Sequence, residues 1–296
     1  MMADGADESA DEVDLLRART RIINNTDQEI RDILGQAADN VTQILVSQPT
    51  DYQSWHLPQV LAQINAALSR WGDQAANAAG NGQSSAWTAG SQMVDTSIND
   101  QADAASVTLN AALPIIDDTQ LRAMKSFLTS KIKSVTVGTV DSINTQLGLV
   151  IMGAQTPFDA VKQVTTLLKE DTTRRATSIV QTELARAYST ASQMRMESWS
   201  DEVDGLQKQW LKSGKLHPRI AHAIIDGQIR DVDQPYDIPG GIQMMYPHDP
   251  EAPASQTINC GCCSVPVVSG WVSTFKSQTD DEKVALQKKQ SSASIE

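Results

Sequence analysis

Residues 13–46 read VDLLRARTRIINNTDQEIRDILGQAADNVTQILV, and this stretch indicates the fold class of most of the chain. Its apolar residues recur at steps of three, four or seven positions, which places them on one face of a long helix. They are Leu16, Ile23, Ile30, Ile33, Ala37, Val41 and Ile44. The pattern stops before Pro49. We therefore predict a long amphipathic helix here.

Similar patterns follow this helix. A second helix is predicted to start near Leu57-Pro58, because proline is tolerated in the first turn of a helix. The glycine-containing stretch 80–85, GNGQSS, is predicted to be a loop, and a third, polar helix is predicted over residues 86–113. The N-terminal part of the chain is thus expected to consist mainly of helices.

Further helix starts are marked by capping residues. Either Asp117 or Asp118 is expected to cap a helix whose apolar pattern continues to about Val150. Thr156-Pro157 is an N-cap followed by proline at the first helical position, and predicts a helix to about residue 169. A strongly periodic stretch follows over residues 180–194, which we interpret as a core-facing helix.

Composition agrees with a helical protein. Apolar residues make up 40% of the 296 residues but aromatic residues only 4%, which suits helices packed through small side chains. The net charge is −12, and residues 1–14 carry six acidic side chains and no basic one, so this arm is predicted to be disordered. The acidic balance argues against a general duplex-DNA binder, which needs a concentrated basic face.

The sequence changes character near residues 200–206, where glycine, proline, histidine and cysteine become frequent. Strands are predicted at 207–211, 241–245 and 262–268. The fold class expected is therefore a mainly α N-terminal helical region followed by a small C-terminal α+β domain. The expected segments are an acidic arm (1–14), a helical region (15–200), the α+β unit (201–272) and a polar tail (273–296).

An ordered set of short motifs occupies the segment between Trp210 and Val268. The motifs that follow Trp210 are Arg219-x-x-His222, Asp226-Gly227-Gln228, Tyr246-Pro247, Asp249-Pro250 and Ile258-Asn259-Cys260-Gly261-Cys262. This set resembles the C-terminal signature of the Mu F-type family of phage head morphogenesis (minor capsid) proteins. Each motif alone is weak evidence for this resemblance. The order in which the motifs occur makes the set specific.

Upstream, Gln181-Thr182-Glu183 is similar to the family's Arg-Thr-Glu helix, and Leu147 to Pro157 is similar to the glycine-containing hinge before the preceding helix. The resemblance therefore covers roughly residues 145–268. Two positions depart from the family pattern. Gly261 and Gln181 stand where the family usually has arginine. Any ionic contact made by those arginines is either missing from this chain or supplied by other residues.

His222, Cys260 and Cys262 are the candidate metal ligands. Two cysteines and a histidine are typical zinc ligands, but a tetrahedral structural site needs four. Candidates for the fourth ligand are His217, His248, Asp249 and Cys263. The alternative is that the cysteines are small buried residues and His222 is a hydrogen-bonded structural histidine. The chain is expected to need no cofactor, with zinc at this cluster as the open alternative.

Other residues have simpler explanations than catalysis. Asp226 and Asp249 are interpreted as residues that cap turns and make loop hydrogen bonds, and Glu183 with Arg186 as an exposed ion pair one helical turn apart. The sequence contains no Gly-x-Gly-x-x-Gly, P-loop, Gly-x-Ser-x-Gly or His-Glu-x-x-His motif. No catalytic residue and no cofactor-binding residue is therefore assigned.

The resemblance implies a structural minor head protein of a tailed bacteriophage, not an enzyme. Such a protein would associate with the portal protein, with the major capsid or scaffold protein and packaged DNA as further partners, and would aid head assembly or DNA packaging and delivery. It would reside in the virion head and, during assembly, in the host cytoplasm, since we find neither a signal peptide nor a membrane-spanning segment. The alternatives are a metal-dependent enzyme or a nucleic-acid-binding adaptor using the His222/Cys260/Cys262 cluster.

Overall fold

The computed structural model describes residues 10–48, 57–110, 113–215, 218–272 and 275. Within these ranges, helices dominate the first two hundred residues. They are α1 (Ala10–Val46), α2 (Leu57–Ala104), α3 (Thr119–Ile151), α4 (Pro157–Thr166), a π-helical turn (Leu167–Thr172) and α5 (Thr173–Ser200). The fold class predicted from the sequence is confirmed: a mainly α region precedes a small region with short helices and antiparallel strands.

The C-terminal region contains two small sheets and two short helices. Its elements are β1 (Leu206–Leu211), α6 (Ile220–Ile224), β2 (Ile229–Asp231), β3 (Tyr236–Ile238), β4 (Ile242–Met244), α7 (Ala254–Thr257) and β5 (Cys263–Val268). Strand β1 is central in a three-stranded antiparallel sheet of order β2-β1-β5, and β3 pairs with β4. Leu206 lies opposite Val268, and Leu211 lies opposite Cys263. The three predicted strands correspond to β1, β4 and β5.

The chain divides into two compact units that are discontinuous in sequence. Unit 1 comprises residues 1–22, 84–121 and 184–296, and unit 2 comprises residues 23–83 and 122–183. Helices α1, α2, α3 and α5 each contribute residues to both units. The change from helices to strands falls between Ser200 and Leu206, where the sequence changes character.

The core of unit 2 is built from aliphatic side chains of four helices and the π-helical turn. Its buried members are Ala37, Ala38, Val41, Leu45, Val60, Ile64, Leu68, Ile143, Leu147, Val164 and Leu168. On α1 the buried face is rotated slightly from the predicted one, because Leu34 and Leu45 are buried whereas Ile33 and Ile44 are half-buried. The predicted helix is confirmed, and its buried residues follow one another at steps of three and four positions.

The predicted loop at residues 80–85 is wrong, because α2 runs through it without interruption. Glycine lowers helix propensity, but it also allows close approach of a neighbouring helix. A Cβ atom at Gly82 would collide with the side chain of Thr26, and one at Gly90 would collide with the carbonyl oxygen of Tyr188. Tertiary packing therefore outweighs the local turn signal, and the third helix predicted over 86–113 is the second half of α2, which ends at Ala104.

The helix starts predicted from capping residues agree with the structure. The Asp117 carboxylate accepts a hydrogen bond from the Thr119 backbone N–H at 2.9 Å, at the beginning of α3. The Thr156 hydroxyl accepts one from the Asp159 N–H at 3.1 Å, and Pro157 occupies the first turn of α4. The helix predicted to end near residue 169 instead continues through the π-helical turn into α5.

The two ends of the chain lie largely outside the description. The polar tail predicted over 273–296 falls outside the described residues except for Phe275, which is buried. Of the acidic arm predicted to be disordered, residues 1–9 are outside the description, whereas residues 10–14 form the start of α1. Acidic residue types are favoured at helix N-termini because the helix dipole is positive there.

Among the described helices, none combines the length and the apolar character that are needed to cross a bilayer.

Gly90→Ala should lower the free energy of unfolding by about 1–3 kcal/mol, because its methyl group must displace the α5 backbone at Tyr188. The matched control is Gly138→Ala on α3, where a Cβ atom would meet nothing within 4 Å. The control should stabilise the chain by up to about 1 kcal/mol through helix propensity. Urea unfolding of both variants measures this, and equal effects of the two substitutions would contradict the close helix contact.

Candidate functional site

A histidine and two neighbouring cysteines from distant parts of the sequence meet in the C-terminal region. His222 lies on α6, and Cys260 and Cys262 lie in the loop between α7 and β5. One imidazole nitrogen and the two sulfur atoms all lie within 4.8 Å of one another, and all three residues are buried. The structure thus brings together the three candidate ligands named from the sequence.

The cluster is organised around the Nδ1 atom of His222. This nitrogen lies 3.4 Å from the Cys260 Sγ atom and 3.6 Å from the Cys262 Sγ atom. On the other side of the ring, Nε2 lies 2.8 Å from the side-chain oxygen of Gln256. An amide oxygen can only accept a hydrogen bond, so Nε2 carries the proton and the Nδ1 lone pair faces the sulfurs.

An aromatic side chain packs directly on the histidine. The indole of Trp210 on β1 meets the His222 ring edge-on, with ring centroids 5.2 Å apart, and meets Tyr236 in the same way at 5.1 Å. Trp210 and Tyr236 are fully buried and belong to the same core cluster as Cys260 and Cys262. This packing fixes the plane of the imidazole, so the direction of the Nδ1 lone pair is determined before any ligand arrives.

The cysteine loop is held by cationic side chains that donate to its carbonyl oxygens. Arg219 donates to the Ile258 carbonyl at 2.5 Å and Lys215 to the Asn259 carbonyl at 2.6 Å. Arg19, on α1, donates to the carbonyls of Cys262, at 2.9 Å, and of Gly261. We call these three side chains the carbonyl clamp. Charge-assisted hydrogen bonds of this kind are stronger than neutral ones, so the loop is firmly positioned.

Gly261 fits this arrangement because it has no side chain. A Cβ atom at this position would collide with the Ser213 hydroxyl and approach the Lys215 side chain to 3.2 Å. The family's arginine is absent at Gly261, and here cations from other parts of the chain contact the loop backbone. The departure from the family pattern is therefore accompanied by contacts that the sequence alone did not reveal.

The two thiols of the cluster have pKa values shifted in opposite directions. The hydrogen bond from Cys262 lowers the pKa of Cys260 well below its ordinary value despite its burial. The same hydrogen bond and burial raise the pKa of Cys262. The Cys262 backbone N–H also points at the Cys260 sulfur, 3.4 Å away. Of the two thiols, Cys260 is therefore the one that loses its proton more readily.

A cavity of about 300 Å³ opens on one side of the cluster. Besides the three cluster residues, its lining includes Ser213, Lys215, Pro218, Arg219, Asn259 and Gly261. Burial lowers the pKa of Lys215, with Cys260 acting in the opposite direction. The cluster is therefore reachable by small molecules through a polar entrance, although its own side chains are buried.

Among the described residues, the other candidate ligands are not part of the group whose ligating atoms lie within 4.8 Å of one another. Cys263 begins β5, and burial raises the pKa of its thiol. His248 is fully buried, and burial lowers its pKa to about 4. The Asp249 carboxylate accepts hydrogen bonds from the backbone N–H groups of Met245 and Glu251. His217 lies outside the described residues.

The remaining polar residues named from the sequence have structural contacts. The Asp226 carboxylate accepts a hydrogen bond from the Lys212 N–H at 2.8 Å, which is a loop contact, whereas Asp249 caps its own turn. Glu183 and Arg186 were predicted to form an exposed pair, and the predicted exposure is wrong. Glu183 is buried, and the half-buried Arg186 donates to the His248 carbonyl at 3.2 Å.

Sequence reasoning missed Arg19, Lys215 and Gln256 as parts of this site. Gln256 and Lys215 are common surface residue types in loops and short helices, and neither forms a recognisable motif. Arg19 lies 243 positions before Cys262, within a helix whose pattern indicated only core packing. Only 7% of the Arg19 surface is exposed, and this burial distinguishes it from an ordinary surface arginine. Burial of this kind can be seen only in the folded chain.

Arg19→Met should lower the free energy of unfolding by about 1–3 kcal/mol, because two loop carbonyls lose their donor. It should also speed the reaction of Cys260 and Cys262 with a thiol reagent, since the loop would open more often. Arg70→Met is the control at an exposed position of α2 and should change stability by no more than about 0.5 kcal/mol. Unchanged thiol reactivity in Arg19→Met would contradict the clamp.

Comparisons with known proteins give two partial matches. The chain is 32% identical over 111 residues to the uncharacterized protein YqbB of Bacillus subtilis (strain 168), covering 36% of this chain and 35% of that protein. It is 30% identical over 102 residues to the NAD(+)--arginine ADP-ribosyltransferase EFV of Enterococcus faecalis (strain ATCC 700802 / V583), covering 33% of this chain and 20% of that protein. No family model and no solved structure matches the chain. The chain thus spans about a third of the length of the first relative and a fifth of the length of the second.

Proposed function

We propose that this chain is a structural minor head protein of a tailed bacteriophage that binds the portal protein and aids head assembly or DNA delivery. The observation that carries the proposal is the convergence of the motif residues on one centre. Trp210 packs on His222, Arg219 holds the loop at Ile258, and Cys260 and Cys262 face His222. Motifs that resemble a phage head signature thus have a common physical purpose, which is to close one small fold.

The chemistry of this centre favours a structural role over catalysis. Its polar groups are occupied by contacts within the chain: Arg219 and Lys215 by loop carbonyls, Asp226 by the Lys212 N–H, and Asp249 by two backbone N–H groups. A catalytic carboxylate needs a free oxygen directed into a pocket. Asp226 is buried and accepts a hydrogen bond from the Lys212 N–H, which supports its assignment as a structural residue.

The portal protein is the partner that we consider first, and the major capsid or scaffold protein is second. Long helices give the chain extended surfaces for contacts within an assembly, since α2 alone has 48 residues and spans about 70 Å at 1.5 Å per residue. Contact with packaged DNA is a weaker expectation, because the net charge of −12 opposes binding to a polyanion. The proposed location is the head of the virion near the portal, after assembly in the host cytoplasm.

The match to an arginine ADP-ribosyltransferase raises the question of enzymatic activity. The shared segment of 102 residues covers 20% of that relative, which leaves most of its length for a transferase domain. We propose that the shared segment is a non-catalytic module and that the present chain is not a transferase. This agrees with the motif resemblance, because some members of the Mu F-type family carry additional C-terminal toxin domains.

Co-expression of the full chain with the portal protein encoded beside it should yield a complex that co-elutes in size exclusion. The expected result is co-elution at micromolar concentrations, with the chain shifted to the volume of the portal ring. A portal protein from an unrelated phage is the control and should elute separately. Independent elution of the cognate pair at low salt would overturn the structural proposal.

Incubation of the full chain with labelled NAD⁺ and an arginine-rich acceptor protein should transfer no label. The physical reason is that the described cluster offers cations and sulfurs that are already engaged, but no free carboxylate to activate an arginine side chain. A bona fide arginine ADP-ribosyltransferase serves as the positive control in the same buffer. Transfer of label that depends on the chain would show that it is an enzyme and contradict the proposal.

A further inference from the structure

We infer that His222, Cys260 and Cys262 bind one Zn²⁺ ion, with a solvent-derived fourth ligand in the adjoining cavity. The three protein ligands would be His222 Nδ1 and the two sulfur atoms. This inference rests on the geometry of the cluster and does not depend on the proposed role in the phage head. The metal would link α6, which carries His222, to the loop before β5, which carries the two cysteines.

The distances match those of a tetrahedral zinc site. Zinc binds thiolate sulfur at about 2.3 Å and imidazole nitrogen at about 2.0–2.1 Å. At a tetrahedral angle, these bond lengths place nitrogen and sulfur ligands about 3.5 Å apart. The Nδ1–Sγ distances of 3.4 and 3.6 Å lie on either side of that value. An ion at the centre of the three ligands would therefore need little movement of the side chains.

The surroundings of His222 are those of a metal ligand. Zinc-bound histidines donate their second ring N–H to an oxygen, which fixes the tautomer and the ring orientation. Gln256 supplies this oxygen at 2.8 Å from Nε2, and Trp210 packs edge-on against the ring. A histidine that only filled space in a core would not need its lone pair directed at two sulfurs at nearly equal distances.

The charges around the sulfurs also suit a thiolate pair. The Cys262 N–H points at the Cys260 sulfur, and Lys215, Arg19 and Arg219 bind the loop's carbonyls next to the cysteines. Both thiols must be deprotonated to bind zinc, so binding releases protons. Zn²⁺ with two thiolates and a neutral imidazole has no net charge, which reduces the cost of placing the ion in a buried site.

The fourth coordination position is assigned to a small solvent-derived ligand. Among the described residues, the group of ligating atoms within reach of one another contains only these three side chains. The cavity of about 300 Å³ beside them has room for several water molecules at about 30 Å³ each. Lys215 and Arg219 line this cavity, so a hydroxide or a small anion would be favoured over a cation.

The test is metal analysis of the full chain, purified without a polyhistidine tag from cells grown with added zinc. We expect about one zinc per chain. Cys260→Ser, Cys262→Ser and His222→Ala should each lose most of it. Cys263→Ser is the matched control, because it removes a buried thiol at the next position while leaving the three ligands in place. It should retain the wild-type zinc content.

A second measurement uses the wild-type chain and so does not depend on the variants folding. After removal of zinc with a chelator, Co²⁺ should give the intense visible bands of a tetrahedral site and a thiolate-to-cobalt charge-transfer band. Added azide should shift the visible bands, because the open position accepts an anion. Bands that azide leaves unchanged would overturn the open fourth position.

Three results would overturn the zinc site itself. The first is a wild-type chain without zinc that also gives no cobalt spectrum when reduced protein is supplied with the ion. The second is zinc retained in all three ligand variants at the level of the Cys263→Ser control. The third is a Cys260–Cys262 disulfide in the protein isolated from cells, seen as a mass lower by two hydrogens and a loss of two titratable thiols.

Discussion

The carbonyl clamp is the interaction on which the C-terminal region depends. The loop before β5 has no strand partner of its own, so its carbonyl oxygens need other donors. Arg19 on α1 supplies them to the buried Cys262 carbonyl, which would cost about 1–3 kcal/mol if it were unpaired, and to the Gly261 carbonyl. Lys215 and Arg219, from the segment between β1 and α6, supply them at the exposed side of the loop. With the backbone held in this way, Cys260 and Cys262 both face His222. The same contacts thus stabilise the loop and organise the chemically distinctive part of the molecule.

The motif set gains a physical explanation from this arrangement. Trp210 orients the ring of His222, Arg219 holds the turn after α7, and the cysteines complete the centre. Asp226 and Asp249 support the turns on either side by accepting backbone hydrogen bonds. A small unit with few strands has a limited core, so a compact polar centre contributes a large share of its order. This is why we assign the motif to architecture.

The helical region depends on a different constraint, which is the close approach of helix backbones. Gly82 and Gly90 in α2 lie against Thr26 and the Tyr188 carbonyl, where a larger residue would collide. The sequence signal of such a glycine is ambiguous, because the same residue type also marks turns. We predicted a loop at 80–85 from glycine and serine content, and the structure shows a continuous helix. Local propensity cannot reveal a neighbour that is distant in sequence.

The sequence by itself determined the helical character of the first two hundred residues, three of the strands, the caps at Asp117 and Thr156, and the three cluster residues. These features depend on periodicity, on capping chemistry or on ordered motifs, all of which are local in sequence. The short strands β2 and β3, the role of Gly82, the burial of Glu183 and the recruitment of Arg19 and Gln256 were decided by the tertiary structure alone. The physical reason is that each of them depends on a contact between distant segments, whose energy is realised only when the chain has folded.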